Sequence, residues 1–297
     1  MPKLIILCGP SGAGKTSLAH SISSQLESDG NHFLRINQDD HTKSGHLTMF
    51  KAAIECKRNI VMDRLNFNKE QRARYLNPAK ESGYETQIIV MHENYETCLK
   101  RCNARLDHPT ITTEEHAKNA LNMFFSKYER PTFDEADTVE YRYPNITNRS
   151  SAILVDIDGT AANIDHRLYF VDKKDGKKAD WKSFFDNIHL DTPNQWCREI
   201  VNSMRDKNLI VFCSGRPDSL KPQTKKWLED NKFFYDYLMM RPRADHRDDK
   251  LVKEIILDFE IKTRFANIKF AIDDRARVVD MWRSRGIVTL ACAKGDF

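Results

Sequence analysis

Short apolar runs alternate with longer stretches in which apolar residues recur at helical spacing, and the pattern is laid down twice along the chain. Runs rich in Ile, Val and Leu, closed by Gly, Asn or Asp, predict strands buried on both faces. In the first half these are Leu4–Cys8, Phe33–Ile36, Asn59–Asp63, Thr86–Met91 and a late one near Val139–Tyr143. Helical spacing falls near Lys15–Leu26, Lys69–Lys80, Tyr95–Arg105 and Glu114–Tyr128. In the second half the strands are Ala152–Asp156, Leu209–Cys213, Tyr237–Met240, Ile268–Ile272 and Ile287–Ala291. Helices fall near Asn194–Arg205, Gln223–Asn231, Lys250–Phe259 and Ala276–Arg285. Such alternation predicts two α/β domains, each built on a mostly parallel sheet. Pro144 to Ser151 is polar and without periodicity, so the boundary is placed there, giving domains 1–147 and 148–297. Asn163 to Asp191 shows no strand of this kind. It is rich in Lys and Asp, with Tyr169, Phe170 and Trp181 interspersed, and predicts a small insert over whatever site the second half holds.

Composition adds bounds rather than identity. The 297 residues suffice for two cores of ordinary size, and 40% hydrophobic with 30% charged residues predicts a soluble globular protein. No stretch approaches the length of a membrane span, and Met1-Pro2-Lys3 leading into a strand is no signal peptide. A cytoplasmic protein without a membrane partner is expected. A net charge of +4 permits a polyanionic substrate without demanding one. The seven cysteines are scattered and odd in number. Cys98 and Cys102 share a helical face but have no second pair or His cluster nearby, and they read as core thiols of a reducing cytosol. The sequons at Asn145 and Asn148 then have no role.

Two motifs change the picture. Gly9-Pro10-Ser11-Gly12-Ala13-Gly14-Lys15-Thr16, between the first strand and the first helix, has the spacing of a phosphate-binding P-loop. Its backbone N–H groups, with the positive end of the following helix, suit the phosphates of ATP. Lys15 is placed to reach the β- and γ-phosphates, Thr16 to hold Mg²⁺, and Ser17 completes the loop. Across the cleft, Asn37-Gln38-Asp39-Asp40 follows the second strand; Asp39 is placed to take a proton from an attacking hydroxyl, with Asp40 beside it. Asp63 stands where a carboxylate would support the metal. Arg101 and Arg105 are four apart, hence on one helical face, and suit a clamp on the transferring phosphoryl group.

The second motif is Asp156-Ile157-Asp158-Gly159-Thr160 after the strand that opens the second half. Alternation puts both carboxylates on one side of the strand end. Two carboxylates so placed stand where a phosphate can be attacked and released. Later strand ends carry Ser214-Gly215-Arg216, which offers a hydroxyl and a guanidinium to a phosphate, then Arg241, and then Asp273-Asp274, an acidic pair for Mg²⁺. Lys253, on a helix, supplies a cation.

On these residues the second half resembles the haloacid dehalogenase phosphohydrolases. The whole chain resembles the bifunctional bacteriophage polynucleotide kinase–3′-phosphatases: a P-loop kinase domain, then a haloacid dehalogenase-like Rossmannoid phosphatase with a small insert. The likeness is densest at Gly9–Ser17, Asn37–Asp40, Lys100–Arg105, Asp156–Thr160, Ser214–Arg216, Lys253, Ala271–Arg275, Val278–Arg283 and Gly295–Phe297. The resemblance implies Asp39 as kinase base, with Lys15, Thr16, Arg101 and Arg105 on the donor. In the phosphatase it implies Asp156 as nucleophile and Asp158 as acid–base. Ser214, Gly215, Arg216, Arg241 and Lys253 would surround the substrate phosphate. The metal site would draw on Asp156, Asp158, Asp273 and Asp274. It further implies ATP and Mg²⁺ as cofactors, RNA or DNA ends as substrates and functional coupling to a ligase; it leaves open whether the chain forms a homo-oligomer. The family tends to place an Arg three residues after the base, where this chain has Thr42; Lys43 beside it offers a point charge to the acceptor instead.

A nucleoside or small-metabolite kinase fused to a nucleotidase is the alternative that composition leaves standing, since its two sites would look much the same. A nucleic-acid-binding adaptor with retired sites would lack catalytic groups, and here every named role is filled.

Overall fold

The computed structural model describes residues 1–27, 32–37, 44–105, 111–146, 150–172, 178–242 and 245–295. Internal contacts divide the chain into two compact units, Met1–Asn145 and Ile146–Phe297. No helix among the described residues is long and apolar enough to cross a membrane.

The first unit is a five-stranded parallel sheet in the order β2-β3-β1-β4-β5. Its strands are β1 (Lys3–Cys8), β2 (Phe33–Asn37), β3 (Asn59–Asp63), β4 (Glu85–Met91) and β5 (Thr138–Arg142). The helices are α1 (Lys15–Glu27), α2 (Gly45–Glu55), α3 (Lys69–Glu81), α4 (Tyr95–Asn103) and α5 (Glu114–Lys127). The central strand β1 is buried almost throughout, with Leu4, Ile6 and Leu7 fully enclosed, because helices cover both faces of a parallel sheet. Ile5, Leu7, Ala19, Val61 and Ile89 pack as one cluster that fixes α1 against the sheet. The P-loop therefore leaves the carboxyl end of the central strand, where ligands bind in open α/β sheets. Helix α2 has no counterpart in the sequence reading; it buries His46, Phe50, Ala53 and Ile54.

The second unit repeats the plan with the order β10-β9-β6-β11-β12, again all parallel. Here β6 is Ser151–Val155, β9 Leu209–Pro217, β10 Tyr237–Arg241, β11 Asn267–Arg275 and β12 Thr289–Gly295. The helices around it are α7 (Gln195–Met204), α8 (Lys221–Asp230), α9 (Asp249–Ile256) and α10 (Ala276–Ser284), and α9 runs on as a π turn over Leu257–Ile261. Two apolar clusters lie on opposite faces of the sheet, one centred on Ile153, Val155 and Phe212, the other on Leu154, Val211 and Trp282. Strands β9 and β11 continue past their apolar runs: Ser214 stays paired with Met240 and Asp273 with Ala291. The residues expected just beyond those strands thus sit inside the ladder, held by backbone pairing. The insert is organised as β7 (Ala162–Asn163) paired antiparallel with β8 (Thr192–Pro193), a 3₁₀ turn over Asp165–Phe170 and α6 (Trp181–Asp186).

Candidate active sites

In the first unit the loop after β1 is shaped by close approach to its neighbours. A Cβ on Gly12, which has φ +84°, would lie 2.6 Å from the Cys98 carbonyl oxygen on α4. Only glycine combines that conformation with that contact. Beneath the loop, the Gly9 N–H donates to the Leu65 carbonyl at 3.2 Å, and the Asn66 amide donates to the Leu7 carbonyl at 2.8 Å. Lys15 is buried, and its ammonium donates to the Pro10 carbonyl at 2.8 Å. Burial lowers its pKa, and Asp63 opposes that shift. Asp63 accepts from Arg35 on β2, Nε at 3.0 Å and Nη2 at 2.9 Å.

Arg101 meets the loop directly. Its Nη1 donates to the Gly12 carbonyl at 3.2 Å and pairs with Glu93 at 3.0 Å. Arg105 departs from expectation: α4 ends at Asn103, Ala104 is its cap, and Arg105 lies exposed beyond it. The shared-face argument therefore does not apply to the pair. Asp39, Asp40, Thr42 and Lys43 lie outside the described residues. Cys98 and Cys102 are buried free thiols, and burial raises both, Cys98 up to about 12, which disfavours the reactive thiolate.

The second unit assembles its chemistry across three adjacent strands. Asp156 and Asp158 follow β6, Ser214-Gly215-Arg216 lie on β9, and Asp273-Asp274 lie on β11. Lys253 reaches in from α9, is buried, and donates to Asp156 Oδ1 at 2.6 Å and Asp273 Oδ2 at 2.9 Å. The Trp282 indole N–H donates to the same Asp273 oxygen at 3.1 Å. Burial lifts Asp156 well above the usual carboxylate range; Lys253 opposes this, and Asp273, Asp274 and Asp249 add to it. Lys253 is held charged: burial lowers its pKa, but Asp156, Asp249 and Asp273 more than offset that.

Asp156, Asp273 and Asp274 offer oxygens within 4.8 Å of one another, and all three residues are buried. Asp274 Oδ2 is buried without a hydrogen-bond partner among the described residues. An all-carboxylate set with an orphaned oxygen fits a hard divalent cation. Room for it depends on Gly159, which has φ +91° and whose Cβ would lie 2.2 Å from Asp274 Oδ2.

The Asp158 side chain is not part of that group. It accepts from Arg216, Nε at 2.9 Å and Nη2 at 2.7 Å, and from Arg167 Nη2. Burial raises its pKa, but Arg216 and Arg167 overcome this and hold it well below the usual carboxylate range. The Asp158 carboxylate thus pairs with two guanidiniums, whereas the side chains grouped as a trio are those of Asp156, Asp273 and Asp274. Ser214 is fully buried, its Oγ accepting from the Arg216 N–H at 3.2 Å. Arg216 Nη1 is buried with no hydrogen-bond partner among the described residues, a donor left over for a ligand. Arg241 donates to the carbonyls of Gly215 (2.7 Å) and Arg247 (2.6 Å), which fixes its fork at the mouth of the site.

Three functional side chains escaped the sequence reading. Arg167 and Asp191 come from the insert. Asp191 accepts from Arg167 Nε at 2.6 Å and Arg216 Nη2 at 2.8 Å, tying the two guanidiniums together. Nothing periodic marks either residue. Asp249 pairs with Lys253 at 3.6 Å and Arg275 at 3.2 Å. Its place four residues before Lys253 on a helix was a readable signal. Asp156, Asp158, Arg216, Arg241, Asp249 and Arg275 line one cavity of about 540 Å³.

Fold and sites together define a two-domain phosphotransfer enzyme, a P-loop kinase unit joined to an aspartate-based phosphatase unit. Residues 150–297 match the family model described as the polynucleotide kinase PNKP phosphatase domain, and residues 4–131 match that of an AAA domain. This is the composition of a bifunctional polynucleotide kinase and phosphatase, an enzyme of nucleic-acid end healing. Among solved structures, a chain of the Pnkp1/Rnl/Hen1 RNA repair complex is 21% identical, with 100% of this chain and 97% of that chain covered at a TM-score of 0.44. Chaetomium thermophilum Kti12 in complex with ADP-AlF3 is 15% identical over 47% of this chain and 88% of its own, TM-score 0.37. Mycobacterium tuberculosis APS kinase CysC with AMPPNP and APS is 15% identical over 48% and 90%, TM-score 0.35.

Proposed function

We propose that the first unit transfers the γ-phosphate of ATP to the 5′-hydroxyl of a polynucleotide and that the second removes a 3′-phosphate, leaving ends a ligase can join. In the kinase, the P-loop N–H groups and Lys15 hold the triphosphate, Thr16 would hold Mg²⁺, and Arg101 closes on the loop from α4. Asp39, after β2, takes the proton of the attacking hydroxyl. In the phosphatase, an Asp156 oxygen forms a bond to phosphorus as the bond to the 3′-oxygen breaks. Asp158 gives that oxygen its proton. Water then attacks the acyl-phosphate, Asp158 takes the proton back, and inorganic phosphate leaves. Lys253 holds Asp156 in line and offsets charge on the phosphate. Asp156, Asp273 and Asp274 would hold Mg²⁺, which supplies further positive charge against the phosphate oxygens.

The arginine clamp on Asp158 sets a condition on this sequence. Clamped, Asp158 is ionised, but the same guanidiniums that depress its pKa weaken it as a base. To serve as an acid it must first gain a proton, so Arg216 has to turn from Asp158 toward the substrate phosphate. One observation carries the reading: Lys253 bridges Asp156 and Asp273 at 2.6 and 2.9 Å beside a buried acidic trio.

The test is one label-transfer experiment. With γ-labelled ATP and oligonucleotides ending in 5′-hydroxyl and 3′-phosphate, the wild-type chain labels the first and frees phosphate from the second. Asp156→Asn abolishes only phosphate release, and Lys15→Ala abolishes only labelling. Joint loss in a folded variant refutes separate sites. Labelling of free nucleosides in preference to oligonucleotides returns the metabolic alternative.

A further inference from the structure

The phosphatase cavity has one wall that phosphate chemistry does not explain. Besides its charged groups, the 540 Å³ cavity is lined by Trp181, Phe184 and Phe185 from α6. An aromatic face carries the negative side of its quadrupole, so it offers nothing to a phosphate. Trp181 stands 49% exposed there, leaving part of its ring open to a ligand. Its ring stacks on Phe185 with 27° between planes, and it meets Phe184 edge to face. Asp180 caps α6 by accepting from the Ser183 N–H at 3.0 Å and the Ser183 hydroxyl at 2.7 Å. Buried Phe184 also lies under the Arg167 guanidinium, 4.1 Å from ring centroid to carbon, and Arg167 in turn holds Asp158.

We propose that Trp181, backed by Phe185, is a stacking subsite for the nucleobase of the terminal nucleotide whose 3′-phosphate is removed. The inference rests on the polynucleotide reading above and adds to it what the enzyme recognises beyond phosphate. A cavity of this volume lies within the range of pockets that enclose a whole small ligand, about 300–1,000 Å³, more than a phosphate alone requires. Stacking accepts any base, because every base presents a π face. The subsite thus gives affinity for nucleotide ends without sequence preference. Its mount on the helix that also contacts Arg167 links a seated base to the residue that clamps Asp158.

The experiment compares two oligonucleotides ending in 3′-phosphate, identical except that one has an abasic last nucleotide. They are assayed on the full wild-type chain, Trp181→Ala and Trp181→Phe, with release of inorganic phosphate measured. In the wild type, KM for the abasic end is roughly 5- to 150-fold higher, the range base–aromatic stacking supplies, and kcat moves far less. In Trp181→Ala the two substrates converge; Trp181→Phe keeps most of the preference. Equal KM for both ends in the wild type overturns the proposal, as does an undiminished preference in Trp181→Ala. Should Trp181→Ala fail to fold, the wild-type comparison and Trp181→Phe decide. A wild-type chain that hydrolyses p-nitrophenyl phosphate but neither oligonucleotide refutes the end-healing reading itself, a distinguishable result.

Discussion

Glu135→Ala should destabilise the kinase unit more than any surface change. Arg72 on α3 is fully enclosed and Glu135 nearly so, and they pair through two parallel bonds of 2.7 and 2.8 Å. Arg72 Nη1 also donates to the carbonyls of Asn66 (3.2 Å) and Glu129 (3.0 Å), so the guanidinium pins the segment that supports the P-loop from below. Removing the carboxylate leaves a buried cation whose remaining acceptors are neutral carbonyls, a loss of about 3–5 kcal/mol. In a unit of this size each kcal/mol moves the midpoint by roughly 3 °C, so a drop of roughly 10–15 °C follows. The assay is residual 5′-kinase activity after graded heating, with 3′-phosphatase activity of the same sample as internal reference, since every partner of the pair lies in Met1–Asn145. Arg72→Met with Glu135→Met should recover much of the loss, because two apolar groups leave no stranded charge. A midpoint shift under roughly 3 °C for Glu135→Ala, or a double variant no better than the single, refutes the reasoning.

Three further outcomes are expected. Gly215→Ala puts a Cβ 2.1 Å from Asp249 Oδ1, displacing a carboxylate bound to Lys253 and Arg275. Phosphatase kcat/KM should fall roughly 10- to 100-fold in a folded chain, and wild-type kinetics would mean that Asp249 has no part in arranging the site. Asp39→Asn should cost the kinase at least about 100-fold in turnover, the usual contribution of a positioned base; unchanged turnover moves that role to another residue. Asp137 Oδ2 accepts from the Thr86 N–H at 2.7 Å and hydroxyl at 2.8 Å, which hold its pKa below the usual carboxylate range. A carboxylate depressed by folding stabilises the fold above its unfolded pKa, and the benefit disappears as pH falls through the folded value. The stability gap between wild type and Asp137→Asn should therefore be full at pH 7 and close progressively below about pH 4; a gap independent of pH contradicts that account.

The sheets were legible because strands buried on both faces must be apolar without interruption, and that leaves a mark at single-residue resolution. Asn59–Asp63 coincides with the predicted strand, and the other four strands of the first sheet differ by a residue at one or both ends. Where the reading stopped short, as at Cys213 and Ile272, the ladder continues through polar residues that backbone pairing holds regardless of side chain. Helix α2 was missed although its buried His46, Phe50, Ala53 and Ile54 recur at helical spacing. The stretch ahead of it is polar, and Ser44 makes no side-chain capping bond that would mark the start.

The active groups divide in the same way. Gly12, Lys15, Asp156 and Asp158 were readable because phosphate chemistry dictates residue types at fixed distances from a strand end. Arg167 and Asp191 were not, for a physical reason: Arg167 lies on a 3₁₀ turn and Asp191 just past another (Ile188–Leu190), where side-chain directions follow no single period. Their partners lie across the fold. Arg167 reaches back to Asp158, and Asp191 reaches forward to Arg216 on β9. Motif spacing records what one strand end does to a phosphate. What sets the protonation of Asp158 comes from elements that meet it only after folding, and charge balance alone demands them: an enclosed carboxylate can stay ionised only where cations have been buried beside it.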